Sequence, residues 1–256
     1  MVRSQLGAIG LALVWLGPAA QAGEKYRDAA HGYRVELPDR WSSVPPGVVG
    51  QLNTFVAQAT KQSVTYTACF VPHGRTSSDF PKVLVQWLPW PGPPSSYEQI
   101  EDALKREMPG AMKKVEADLP VKLHELESGG LYLERAKNRV VMRMRASVPG
   151  AGTVDAVSFG LLGRQGMVLL HCYATQGKFA ATLPLFERCA GSFRFDAGQE
   201  FKPDPDAPKG PFAGGSGGGS GFSAPGAING GLRGGLIGGA IGAVVAAANW
   251  LRRKSA

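Results

Sequence analysis

Four histidines, three cysteines and one serine in a near-motif are the side chains of this sequence whose types could support chemistry. His31, His73, His124 and His171 lie far apart along the chain, and none has a second ligand at the short spacing that brings two side chains around one metal ion. The spacing predicts turn or surface histidines, with no metal and no cofactor. His171 and Cys172 are adjacent, a thiol beside a candidate base, but they fall in an alternating run, and neighbours on a strand point to opposite faces. Ser158 stands in Ala156-Val157-Ser158-Phe159-Gly160. That is one residue short of a nucleophile elbow, and the surrounding pattern is a strand rather than a strand, turn and helix. No phosphate loop or dinucleotide fingerprint is present, because the glycines near Gly230 follow no strand. An envelope hydrolase or thiol enzyme would need a histidine to meet Ser158, Cys69 or Cys172 in a concave site.

Two further groupings bear on binding and redox state. Arg135, Lys137, Arg139, Arg143 and Arg145 would gather on one sheet face of a hairpin turning near Lys137-Asn138, with Val140, Met142, Met144 and Ala146 toward the core. Such a face suits an anionic partner, for instance lipid headgroups or a cell-envelope polymer, and the alternative is a solvated face balanced by Glu134 and neighbouring acids. Cys172 is expected on a strand and Cys189 on the helix after it, so a disulfide between them is geometrically open and Cys69 would stay free. Three buried thiols acting as small hydrophobes are the alternative.

The elements that must position these groups lie between two ends of different composition. Arg3, the 11-residue apolar run 6–16 and Ala20-Gln21-Ala22 have the order of a signal peptide cleaved after Ala22. No Cys follows the run, which removes a lipoprotein route. At the other end, residues 201–227 are rich in Pro, Gly and Ser and read as a flexible linker. Residues 234–251 then carry no formal charge and are followed by Arg252, Arg253 and Lys254. A helix of that length spans roughly 27 Å, near the thickness of a hydrocarbon core, and the basic residues behind it place the C-terminus in the cytoplasm. The reading is an exported, membrane-anchored chain with signal peptide 1–22, folded domain 23–200, linker 201–227 and a single transmembrane helix in 228–256. Within that helix Gly230, Gly234, Gly238 and Gly242 recur every fourth residue, a groove through which copies can associate into a homo-oligomer. A Gly/Ala-rich helix inserting alone is the alternative.

The formal net charge of +8 is distributed by the same division. Residues 23–200 hold 21 Lys and Arg against 18 Asp and Glu, while the tail from residue 201 holds six against two. Half of the basicity therefore lies in the tail, and the charge makes no case for nucleic acid.

Within the middle section short alternating runs dominate. Tyr33, Val35 and Leu37 alternate before Pro38, and Trp41 follows as a large apolar anchor. Residues 48–60 have Val48, Leu52, Phe55, Val56 and Ala59 at helical spacing, and 63–71 and 83–88 read as strands. Ser95 and Glu98 have capping-box spacing, and the stripe Tyr97, Ile100, Leu104 and Met108 predicts a helix that ends before Pro109. Strands are predicted at 121–127, 131–136, 140–148, 154–162 and 167–174, and short loops between them imply an antiparallel meander. A last helix is expected over 179–190, with Pro184 tolerable only in its first turn. The class is α+β, an antiparallel sheet flanked by helices.

His31-Gly32-Tyr33-Arg34-Val35-Glu36-Leu37-Pro38-Asp39-Arg40-Trp41, together with Leu183-Pro184-Leu185-Phe186 and the closing Ser192-Phe193, resembles the first and last elements of the PsbP and Mog1-like superfamily. The resemblance covers about residues 25–195. It implies an αβα sandwich around an antiparallel sheet and a noncatalytic binding or accessory role, with a protein or envelope ligand that the motifs do not specify.

Overall fold

The computed structural model describes residues 23–60, 64–90, 94–118, 122–125, 130–148 and 152–206. The expected signal peptide, the glycine register of the expected anchor helix and the expected linker from residue 207 on lie outside the described residues. Among the described residues no helix is long and apolar enough to cross a membrane.

In chain order the first elements are β1 (Lys25–Asp28), β2 (Tyr33–Glu36), β3 (Trp41–Ser43), α1 (Pro46–Thr60), β4 (Tyr66–Pro72), β5 (Lys82–Pro89) and α2 (Tyr97–Asp118). Then come β6 (Lys122–Glu125), β7 (Leu131–Glu134), a 3-10 turn (Arg135–Lys137), β8 (Arg139–Val148), β9 (Gly152–Leu162), β10 (Gly166–Thr175), α3 (Gln176–Ser192) and β11 (Arg194–Phe195). The main sheet has the order β3-β4-β5-β10-β9-β8, with β6 and β7 both pairing the outer edge of β8. All of its pairings are antiparallel. The meander β8-β9-β10 expected from the short loops is its centre.

The opening strand does not join that sheet. β2 lies between β1 and β11 in a separate three-stranded sheet, and its alternation buries Tyr33 and Val35 while Arg34 and Glu36 face solvent. The main sheet is covered on both faces, which makes the molecule an αβα sandwich with a small sheet added to one side. One face packs Val49 and Val56 of α1 and Ile100 and Leu104 of α2 onto Leu84, Met142, Leu169 and Tyr173. The other packs Tyr33, Phe179, Phe186, Cys189 and Phe195 onto Val85, Val157, Leu170 and Cys172. Trp41 is buried in this second layer, edge-on to Phe186 at 6.2 Å. Strands buried on both faces read as nearly continuous apolar runs, as β10 does.

Four helix expectations need correction. At the start of α1 Val49 is buried in place of Val48, which is 37% exposed, while Val56 of the expected stripe is buried. α2 continues through Pro109 to Asp118; the proline removes the amide that would bond the carbonyl of Lys105 and crowds that carbonyl, but Lys105 is exposed, where water can take it. Its cap is also one residue later than the spacing suggested. The Ser96 hydroxyl accepts from the Gln99 amide at 3.3 Å, while the Gln99 side chain accepts from the Ser95 amide at 3.0 Å and the Ser95 hydroxyl at 3.1 Å. In α3 Pro184 stands mid-helix rather than in the first turn. Both Pro184 and Ala180, whose carbonyl loses its donor, lie on the solvent side.

Candidate functional site

Two places bring chemically capable side chains together. The first is inside the sheet, where β5, β10 and β9 are neighbours and His171 stands opposite Ser158 in register. The Ser158 hydroxyl lies 2.8 Å from His171 Nδ1, and His171 Nε2 lies 3.1 Å from Gln86 Oε1. A carbonyl oxygen can only accept, so Nε2 carries the ring proton and Nδ1 accepts from Ser158. The direction of the chain is that of a serine nucleophile, its base and an orienting group. Its environment is not. Ser158, His171 and Gln86 are all buried, and burial pushes the His171 ring down to about 3, so it stays neutral. An amide in place of a carboxylate offers no charge to stabilise an imidazolium. The three residues form a satisfied polar network in the α1/α2 layer, between Tyr66 and Tyr173.

The expectation of surface histidines fails at His171. His31 does sit near the surface, 2.8 Å from Asp28 and 5.0 Å from the Trp87 ring centre, and His73 is exposed. His124 is on β6 opposite Arg145 in register. Cys172 points away from His171 into the other layer, as alternation required. Cys172 and Cys189 carry free thiols, so the expected bridge between them is not formed in this structure; Cys69 is free as well, and all three are buried. Both halves of the bridge lie in one apolar layer on β10 and α3. Burial raises Cys69 to about 11, Cys189 to about 12 and Cys172 well above its ordinary value, which leaves no reactive thiolate at neutral pH. Among the described residues no three His, Cys, Asp or Glu side chains gather as a metal site.

The basic stripe divides. Val140, Met142, Met144 and Ala146 are buried on the α1/α2 side, and Arg139, Arg143 and Arg145 take the other face of β8. Arg145 forks onto the buried Asp155 at 2.6 and 3.0 Å, and Arg143 reaches Glu187 of α3 at 3.8 Å. Arg135 leaves this face altogether. It sits in the 3-10 turn, bonds Glu98 at 2.7 Å and Glu101 at 3.2 Å on α2, and lies over the Tyr97 ring. Lys137 and Arg139 share one oxygen of Glu134. Burial alone would raise that carboxyl, but the bonds and charge of Arg139 and Lys137 outweigh it and hold it below the usual range. One carboxylate thus answers two cations.

That imbalance lies beside the second place, a cleft of about 560 Å³ at the end of the sheet. Asn138 organises it. The residue takes the left-handed conformation, φ 52°, closing the turn between β7 and β8. Its amide nitrogen reaches the carbonyls of Phe201 at 3.0 Å and Leu162 at 3.4 Å, and its oxygen accepts from the Tyr97 hydroxyl at 3.3 Å. The chain after β11 is thereby drawn back across the sheet end: Phe201 is buried, its amide bonds the Leu162 carbonyl at 3.2 Å, and its ring meets Tyr97 at 5.4 Å. Residues 201 to 204, expected as the start of a linker, are held to the domain, with the Asp204 amide bonding the Ser95 carbonyl at 2.7 Å.

The cleft walls are the apolar Leu161, Leu162, Phe193, Phe195 and Phe201, with Lys137, Arg139, Arg194, Lys202 and Glu200 around them. Arg194 bonds the carbonyls of Gly191 and Phe193 at 2.7 and 2.6 Å. It thereby answers the negative end of α3, which would otherwise weigh against an anion here. Gly163 lets the walls close, because a Cβ there would stand 2.7 Å from the Phe195 ring and 2.8 Å from the Gly166 carbonyl. Arg194, Lys202 and Glu200 were not singled out from the sequence. They come from segments far from β8, and no local spacing announces such a meeting.

No family model matches the chain, and no curated protein matches it. Among solved structures it is similar to the cyanobacterial PsbP protein, CyanoP, of Synechocystis sp. PCC 6803, at 15% identity and a TM-score of 0.48, over 74% of this chain and 98% of that one. It is also similar to the Ran-binding protein Mog1p of Saccharomyces cerevisiae, at 8% identity and a TM-score of 0.33, over 67% of this chain and 94% of that one.

Proposed function

We propose that this chain is an exported, membrane-tethered binding or accessory domain that performs no catalysis and takes its partner at the cleft beside Asn138. One observation carries the reading. The side chains with a catalytic arrangement, Ser158 and His171, are sealed in the core, whereas the surface concavity at the sheet end offers apolar walls and unbalanced positive charge. A cleft of this volume, with apolar walls and polar side chains around them, has a form common to ligand pockets. Export and anchoring rest on the composition of residues 1–22 and 228–256, which were read from unrelated features and agree on one topology.

The test has two parts. Protease added to spheroplasts should digest the folded domain and leave the C-terminal tail protected; a protected domain removes the topology. A fluorophosphonate probe should leave Ser158 of the native protein unlabelled, and labelling there would make the chain a serine hydrolase. The glycine register supports self-association of the anchor as part of the same arrangement. Gly238→Leu should abolish detergent-resistant cross-linking of the full chain, and a monomeric wild type would reject it.

A further inference from the structure

Resting on the proposal that the cleft is the binding site, we infer that its occupant is a single acyl chain ending in an anionic head, a carboxylate or a phosphate. The charge decides the head. Four cations, Lys137, Arg139, Arg194 and Lys202, border a space whose acids are Glu200 at the rim and Glu134 behind Lys137 and Arg139. Arg194 bonds two carbonyls and no carboxylate, and Lys202 has no ion-pair partner among the described residues. A neutral guest would leave this excess unanswered, and a cationic one would be repelled.

The walls decide the body. Leu161, Leu162, Phe193, Phe195 and Phe201 are each less than one-tenth exposed as residues and still contribute atoms to the cleft. The atoms that they present to the cleft are apolar, and an acyl chain would take that remaining surface out of water together with its own, which a bare inorganic anion would not. The cleft volume of about 560 Å³ suits one chain rather than a two-chain lipid with its headgroup. The position agrees with such a ligand, because Phe201 and Lys202 border the cleft on the stretch of chain that goes on toward the linker and proposed anchor. A tethered domain would meet amphiphiles at the bilayer surface with this corner near the tether.

The experiment uses the full chain in phosphatidylcholine nanodiscs, irradiated with a diazirine-bearing palmitate and mapped by mass spectrometry. Adducts are expected on peptides holding Leu161–Leu162 or Phe193–Phe195, displaced by laurate and by dodecyl phosphate and at least tenfold less well by dodecanol or dodecyltrimethylammonium. The double variant Lys137→Glu/Lys202→Glu changes two exposed side chains and should lower the cleft adduct at least fivefold with an unchanged circular dichroism spectrum. Adducts confined to the anchor, equal displacement by the neutral and cationic competitors, or an unaffected yield in the double variant each overturn the inference. So does loss of the adduct when phosphatidylglycerol replaces phosphatidylcholine, which would assign the cleft to a bilayer phospholipid and leave the binding-domain reading standing. Probe labelling of Ser158 strikes at that reading itself, so the two failures are told apart.

Discussion

The Ser158 hydroxyl, the His171 ring and the Gln86 amide run in one line across three strands, and what the line does is set by the absence of water around it. A neutral imidazole with both nitrogens bonded costs little to bury, whereas the charged form would lose its hydration and meet no carboxylate. His171, whose ring is held near 3 in the folded state, therefore couples folding to acid. In the unfolded chain the same ring has its ordinary value near 6.5, so below that pH the unfolded state binds a proton that the native state refuses. Stability is full above about pH 6.5 and should fall by about 1.4 kcal/mol for each unit between about pH 6 and 4. Urea unfolding of the wild type and His171→Gln over that window should differ in slope by this amount. Equal slopes would show that the ring is hydrated or charged in the native state. Sequence reasoning reached the strand position of Ser158 and the opposed faces of His171 and Cys172. It missed the burial of His171, because Gln86 comes from a strand 85 residues away.

At the scale of elements, alternation and loop length made most strands legible, since a strand with one face in a core writes its period into the sequence. β8 is the clearest case. Its apolar set went inward as expected, and its cations met acids that lie on β7, α3 and β9. Helix ends were harder to read, since Ser95, Ser96, Glu98 and Gln99 offer two overlapping caps of equal spacing. Glu98 is drawn instead to Arg135, and Gln99 completes the cap with Ser96. Ser96→Ala should lower stability by about 1 kcal/mol. Glu98→Ala should have the smaller effect, because its partner is an exposed arginine. Thermal melts of the two variants decide between the registers, and a larger loss at Glu98 would restore the earlier cap. The prolines in α2 and α3 misled for a different reason. A proline removes one amide and crowds the carbonyl four residues back, and both of these carbonyls belong to solvent-facing residues, where they can turn toward water.

Across the whole molecule, one sheet separates two apolar layers that share no side chains. The sequence pattern showed that the sheet exists and that helices must cover it. It did not show that the opening hairpin would join β11 in a sheet of its own, or that residue 201 would return to close the cleft, because both depend on pairings between segments distant in sequence, Arg34 with Arg194 and Asn138 with Phe201. The separation has a practical corollary in the sulfur atoms. Cys69 stands in the layer under α1 and α2, while Cys172 and Cys189 stand in the one under α3. Each half of the interior thus carries its own reporter, silent toward iodoacetamide until that half comes apart. The order in which the three are alkylated in dilute denaturant reads which side of the sheet loosens first, and simultaneous modification would mean that both sides open as one unit.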